Sequence, residues 1–254
     1  MILPTTKTSR TYDYRKLSGI VYGRPKVGKS TFCASLDSGK VLFLDTEDGT
    51  KHLDVYKVEI KTWNDVLQAS HDLLTTDHGF SLVVLDTVSA LKEKCIEYVL
   101  DRMRAPDVYS PKFSAHGRGW TMVNSELQKL WTRLLAGNFG CYFVDHETSV
   151  ETRPDGTIIR GEDTYNGPRL LRVQPQLSGK PGQSLKGLCD LILRASIAED
   201  GTRILETMNT AQVEAGDRSG VLPGVMPLDS AAFVECFRNA HKIATSPERS
   251  KAQD

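Results

Sequence analysis

A glycine loop set between a short apolar run and a helical pattern constrains this chain more than any other feature. Leu17 to Tyr22 reads as a strand, and Gly23-Arg24-Pro25-Lys26-Val27-Gly28-Lys29-Ser30-Thr31 follows it directly. Phe32, Ala34 and Leu36 then recur at the spacing of a buried helical face. GRPKVGKS satisfies GxxxxGK[ST], a pattern with a direct physical basis. Small residues let successive backbone N–H groups turn inward around phosphate oxygens at a helix N-terminus. In such a loop Lys29 reaches the β- and γ-phosphates, the Ser30 hydroxyl binds Mg²⁺, and Thr31 lies next to the α-phosphate. No NKxD sequence accompanies it, so ATP is the expected nucleotide rather than GTP.

The rest of the chain alternates strands and helices. Val41 to Asp45 is an apolar run short enough for a central parallel strand, and Tyr56 to Ile60 is a weaker one. Asn64 is placed to cap a helix whose inner face is Val66, Leu67, Ala69, Ser70, Leu73 and Leu74. Phe80 to Asp86 is the clearest buried strand, Thr121 to Leu135 a strong helix stopped by Gly137, and Cys141 to His146 the next strand. This order predicts an α/β fold with a mostly parallel central sheet, helices on both faces, and ligands at the carboxyl ends of the strands. Beyond His146 the pattern weakens. Thr152 to Gly156 and Leu177 to Gly182 read as turns, Leu188 to Arg194 and Thr202 to Glu206 as late antiparallel edge strands, and Phe233 to Ile243 as a final helix. The expected organisation is an N-terminal arm over 1–18 that could serve oligomerisation, one domain over 19–243, and a flexible tail over 244–254.

Composition limits the partners. The 254 residues carry 32 basic and 32 acidic side chains, so no protein-wide positive field exists and any nucleic-acid contact must come from a local patch. No apolar run approaches the roughly 18 residues that span a bilayer, and MILPTTKTSR lacks the pattern of a secretory signal, so a cytoplasmic location away from membranes is expected. Five cysteines stand far apart without a CxxC pair, which argues for ordinary buried thiols. Neither HExxH nor GxSxG is present.

Two carboxylates complete the chemistry of a phosphate loop. Asp86 ends the VVLD strand, where an acid can hold the water shell of the magnesium ion. Glu47, just past LFLD, is the best placed group to orient or deprotonate water if its strand lies beside the loop strand, and Asp45 and Asp48 compete with it.

LFLDTEDGTKHLD followed by SLVVLDTVSAL resembles the RecA-type ATPase core, and GRPKVGKST with LFLDTEDG, VVLDT and VDHE is similar to a phage-encoded family of small RecA-like ATPases associated with single-strand annealing and recombination. The likeness runs from about Leu17 to Pro227 and is most specific from Gly23 to Asp86. It implies a RecA-like P-loop fold, Lys29, Ser30 and Thr31 on the nucleotide, Glu47 as base, Asp86 on magnesium, and His146 as the polar sensor of the γ-phosphate. It also implies a basic finger acting across a subunit interface. Arg218 resembles the arginine of a late Lys-x-Arg finger, although Gly216 stands where the lysine would be, and Lys180 competes for the role.

RecA-like cores grip DNA with two loops. Here the first would span Asp101 to Gly119, with Arg102, Arg104, Tyr109, Lys112, Phe113, His116 and Arg118, and Trp120 just beyond it. The second would span Asn166 to Lys186, an acid-free run with Arg169, Arg172, Lys180 and Lys186. Basic residues interleaved with aromatic ones suit backbone neutralisation and base stacking. The expected activity is DNA-stimulated Mg²⁺-dependent ATP hydrolysis by a homo-oligomeric ring or filament that holds single-stranded DNA for annealing or strand exchange, with a single-strand binding protein as a further partner. A phage-encoded protein of this kind would work in the host cytoplasm. A hexameric helicase motor or loader, a P-loop kinase and a nucleotide-dependent binding module are the competing readings.

Overall fold

The structure, a computed structural model, describes residues 3, 7, 12–159, 161 and 163–245. Half of the expected arm over 1–18, and the tail beyond residue 245, lie outside the described residues. Within that arm, Tyr14–Lys16 form a single 3-10 turn. Tyr14 donates its hydroxyl to Leu36 O at 2.9 Å and packs on Phe233 and Phe237.

The elements run β1 (Ser18–Gly23), α1 (Lys29–Ala34), β2 (Val41–Asp45), β3 (Tyr56–Glu59), α2 (Trp63–Thr75), β4 (Leu82–Asp86), α3 (Val88–Met103), α4 (Pro111–Ser114) and α5 (Arg118–Leu135). They continue with β5 (Gly140–Thr152), β6 (Leu170–Pro175), α6 (Gly179–Leu188), β7 (Leu191–Ile197), β8 (Arg203–Glu206), β9 (Gly216–Asp217), β10 (Val225–Pro227) and α7 (Ser230–Thr245). The sheet has the order β10-β8-β7-β1-β5-β4-β2-β3. From β7 to β3 its neighbours are parallel, whereas β8 and β10 extend it antiparallel. The fold is therefore the α/β class expected, with a mostly parallel sheet consistent with a P-loop NTPase core.

Unbroken apolar strands bury both faces, and residue parity decides which. Ile20, Tyr22, Leu42, Leu44, Val83, Leu85, Cys141 and Phe143 point to a core shared with α2, α3, α5 and α6. Their neighbours Val21, Val41, Phe43, Leu82, Val84, Tyr142 and Val144 point to a second core under α1 and α7. A one-residue slip would exchange the two faces, so the packing fixes the register. Cys33, Cys95, Cys141 and Cys189 are buried free thiols, and burial pushes Cys95 up to about 12. Among the described residues no helix is long and apolar enough to cross a membrane.

Several local expectations are corrected. Thr62, not Asn64, caps α2: its hydroxyl accepts from Asp65 N at 3.3 Å while the Asp65 carboxylate accepts from Thr62 N at 2.7 Å. The reciprocal cap is worth about 1 kcal/mol, and the earlier start also buries Trp63. The expected first loop over Asp101 to Gly119 is largely helical: α3 reaches Met103, α4 follows, and α5 begins at Arg118. Phe113 is fully buried there, so its ring is core rather than a stacking platform, and Trp120 packs edge-on against it.

The second expected loop, Asn166 to Lys186, is β6 and α6. Leu177 to Gly182 is no free turn but the entry to α6, where a Cβ on Gly182 would stand 1.9 Å from Leu177 O. The projecting feature lies earlier. β5 runs past the sheet, and Glu147 to Thr152 pair antiparallel with β6, forming a hairpin arm about 20 Å long. The late strands are also corrected, because β7 is a parallel neighbour of β1 and only β8 and β10 lie toward the edge.

Candidate nucleotide-binding site

The loop after β1 is shaped by backbone conformation. Gly23 lies so close to β7 that a Cβ would meet Ala195 O at 2.1 Å, which reserves the position for glycine. Lys26 and Gly28 have φ of 64° and 115°, and left-handed residues in such a loop can turn amides toward a shared concavity. The helix that follows has only six residues, shorter than the spacing of Phe32, Ala34 and Leu36 suggested. An anion held here would therefore rest on the loop amides and on Lys29 more than on a helix dipole. Lys29 is 6% exposed, and its Nζ donates to Gly23 O and Arg24 O at 2.9 Å each. Burial pulls its pKa below the ordinary value, while Asp86, Asp145, Glu147 and Glu47 oppose that shift.

Parity sends Asp86 to the α1 face of the sheet, where Ser30 Oγ donates to its Oδ2 at 2.5 Å. Burial raises the Asp86 pKa, the Ser30 hydrogen bond lowers it, and nearby Asp45 raises it again. A hydroxyl and one desolvated carboxylate suit Mg²⁺, which takes one or two protein oxygens and completes its shell with phosphate and water. Among the described residues no group of three or more His, Cys, Asp or Glu could cage a metal without such help.

Glu47 is placed differently from the premise that singled it out. β2 is separated from β1 by β5 and β4 rather than lying beside it. The side chain nevertheless reaches the site, with Oε2 3.5 Å from His146 Nε2, and His146 pairs in register with Gly23. Both rivals are occupied. Asp45 accepts from the amides of Glu47, Gly49 and Thr50 and from the Thr50 hydroxyl, so it builds the turn that presents Glu47. Asp48 is paired with Lys51 and Lys57. Thr46 Oγ1 donates to Asp86 O and accepts from Thr87 N, tying the ends of β2 and β4 together.

Asp145, passed over in the sequence, is fully buried on the opposite face. It accepts from Ser89 Oγ and Leu177 N at 2.7 Å each, and burial raises its pKa. It joins the start of α3 to the return of the hairpin arm. An acid inside the apolar run before His146 was the available signal. A second tie was also missed: Glu147 accepts from Arg24 of the phosphate loop at 3.0 Å and from Arg194 at 3.1 Å, and Arg194 continues to Glu206 at 2.8 Å.

The finger candidates part company. Arg218 lies beside the start of β7, at the sheet end opposite the phosphate loop, 3.6 Å from the Asp190 carboxylate. It does not meet the phosphate loop of its own protomer. Lys180 stands in the first turn of α6, close in sequence to Leu177 and so at the nucleotide end. The expected DNA residues form two groups. Arg102 is 4.0 Å from Glu126, Lys112 donates to Arg104 O, and Arg118 opens α5. Arg169 pairs with Glu151 at 2.7 Å on the arm, Arg172 donates to Thr210 O and Asn209 Oδ1, and Lys186 is held by Glu214 at 2.9 Å.

Residues 15–219, well over half of the chain, match the family described as AAA domain. The chain belongs to that family. A comparison with curated proteins finds no match. As an AAA-type P-loop ATPase domain, the protein has a fold whose family implies nucleotide binding, usually with Mg²⁺, and the pairing of Ser30 with Asp86 beside the Gly23 to Thr31 loop fits it.

Proposed function

We propose that the protein binds Mg·ATP at Gly23 to Thr31, hydrolyses it, and uses the nucleotide state to control a grip on single-stranded DNA within a RecA-like homo-oligomer that anneals or exchanges strands. The Ser30–Asp86 contact at the mouth of the loop, with Glu47 and His146 alongside, carries the hydrolytic part of this reading. Loop amides bind the β-phosphate, and Lys29 exchanges its hydrogen bonds to Gly23 O and Arg24 O for phosphate oxygens. Ser30 and Asp86 would hold Mg²⁺, which would supply neutralisation of the triphosphate charge when bound. Glu47 accepts the proton of the attacking water at its carboxylate, and His146 Nε2 fixes that carboxylate and reports the γ-phosphate to β5.

The arm supports the DNA part. It grows directly from His146, and its root is tied to the phosphate loop through Glu147 and Arg24, so a change at the phosphate has a short path to Arg153, Arg169 and Arg172. Neighbouring copies complete the site, with Arg218, 61% exposed at the far end of the sheet, or Lys180 presenting the cation that stabilises charge on the transferring phosphate. The deciding assay is ATP hydrolysis with and without single-stranded DNA, in wild type and Lys29→Ala. DNA stimulation of the wild type and near-complete loss in the variant are expected. Equal rates in all four conditions reject the reading.

A further inference from the structure

One cation at the phosphate loop has no part in the chemistry above. Arg203 opens β8, and β8 runs antiparallel to β7, so its first residue lies at the same end of the sheet as the phosphate loop. Leu228 N donates to Arg203 O at 3.0 Å, which brings the end of β10 to the same place. The two side chains meet over Gly28: a Cβ built there would lie 3.4 Å from Leu228 Cδ2 and 3.5 Å from Arg203 Nη1. Nearby Arg24 and Arg194 are committed to Glu147 and Glu206. The exposed Arg203 guanidinium has no hydrogen-bond or ion-pair partner among the described residues.

A nucleoside triphosphate has two chemically different ends, and the sheet order separates what each can meet. Asp86, Glu47 and His146 end β4, β2 and β5, all on one side of β1, so the γ-phosphate must face that flank. Arg203 and Leu228 stand on the other flank, beyond β7. A planar guanidinium beside a half-buried leucine is an environment that accepts the face of a heteroaromatic base and the edge of a ribose, because guanidinium groups stack on aromatic faces. Resting on the nucleotide reading above, we infer that Arg203 and Leu228 form the nucleoside wall of the site, with Arg203 stacking on the base, and that they contribute to affinity for the nucleoside and not for the phosphate chain.

The test compares two probes, Mg·ATP and Mg·tripolyphosphate, by calorimetric titration of wild type, Arg203→Ala and Arg203→Lys, with thermal melting to establish that each variant is folded. Arg203→Ala is expected to weaken ATP about tenfold and to leave tripolyphosphate within about twofold. Arg203→Lys keeps the charge but loses the planar fork, and should behave like the alanine variant. Equal weakening of both probes, or rescue by lysine, would overturn the assignment, since Arg203 would then be acting on phosphate. Unchanged ATP affinity in Arg203→Ala sinks it while leaving the phosphate site standing. A wild type that binds neither probe removes the nucleotide reading and this assignment together.

Discussion

Ser30 and Asp86 are 56 residues apart in sequence, yet the serine hydroxyl donates to the aspartate at 2.5 Å. β5 stands between β1 and β4, so the loop after β1 and the start of α1 span one intervening strand to reach the carboxyl end of β4. Odd and even positions of β4 face opposite cores, and Asp86 shares the parity of Leu82 and Val84, which look toward α1. A metal bound there would be held from two strands at once.

Removing one side of that contact should lower turnover sharply without unfolding the protein. Ser30→Ala and Asp86→Asn are expected to lower ATP hydrolysis by about 10²-fold or more, the scale for losing one electrostatic contact made in the transition state. Chelation of Mg²⁺ in the wild type should have the same effect, and readdition should restore it. Steady-state hydrolysis against Mg²⁺ concentration checks this, and wild-type rates in either variant would exclude the assignment.

The same buried carboxylate makes a prediction about pH. Burial raises the Asp86 pKa above its usual 3.8, so without ligand the folded protein binds more protons than the unfolded chain just above that value. Stability from this group is present at low pH and is lost as pH rises from the unfolded value through the raised folded one; Asp145 acts in the same direction. Asp86→Asn should therefore raise the melting temperature of the nucleotide-free protein at neutral pH and flatten its fall across the acidic window. It should also remove the extra stabilisation given by Mg·ATP. Melting curves from pH 4 to 8, with and without Mg·ATP, read both effects. A variant less stable than wild type when nucleotide-free would contradict the argument.

Much of this arrangement is legible in the sequence because short-range patterns encode it. Apolar runs announce β1, β2 and β4, the spacing of glycines announces the phosphate loop, and an acid at the end of VVLD announces Asp86. The less legible parts depend on which strand neighbours which. Sequence gives no sign that β4 and β5 stand between β2 and β1, so Glu47 could be singled out only on a premise about adjacency that does not hold. The basic run from Arg169 to Lys186 reads as an open polyanion surface until the fold brings Glu151 and Glu214 to it from distant segments. Helix α3 was hidden for another reason. Val88, Leu91, Cys95 and Val99 have helical spacing, but charged residues between them dilute the pattern, and the burial that selects the helix comes from α5 and the sheet.

Glu47 and Asp45 should separate cleanly. Glu47→Gln keeps the loop geometry and removes the proton acceptor, so ATP affinity should remain within a few-fold while turnover falls by about 10²-fold or more. Asp45→Asn strikes the turn that presents Glu47, because an amide replaces an acceptor of several backbone N–H groups. It should lower stability by about 1–3 kcal/mol as well as activity. Comparing binding, turnover and chemical unfolding distinguishes them; a Glu47→Gln variant with wild-type turnover would assign the base elsewhere.

The hairpin arm gives the sharpest test of the DNA reading. Arg169 is about half exposed and its one carboxylate partner, Glu151, is too, so the pair is weak enough in water to open for a phosphate. Arg169→Glu should weaken single-stranded DNA binding across sequences and reduce the magnitude of the slope of log affinity against log salt by about one, the signature of a lost phosphate contact. Nucleotide affinity and DNA-free hydrolysis should stay within about twofold, since the residue stands on the arm and not at the phosphate loop. Reversal at Arg118, on the other basic group, should change the slope independently if both groups touch the same strand, and the double variant should then lose about two units. Fluorescence anisotropy with a labelled oligonucleotide over a salt series measures all three. An unchanged slope in Arg169→Glu would remove the arm from the DNA interface and leave the α3 to α5 group to account for any DNA binding.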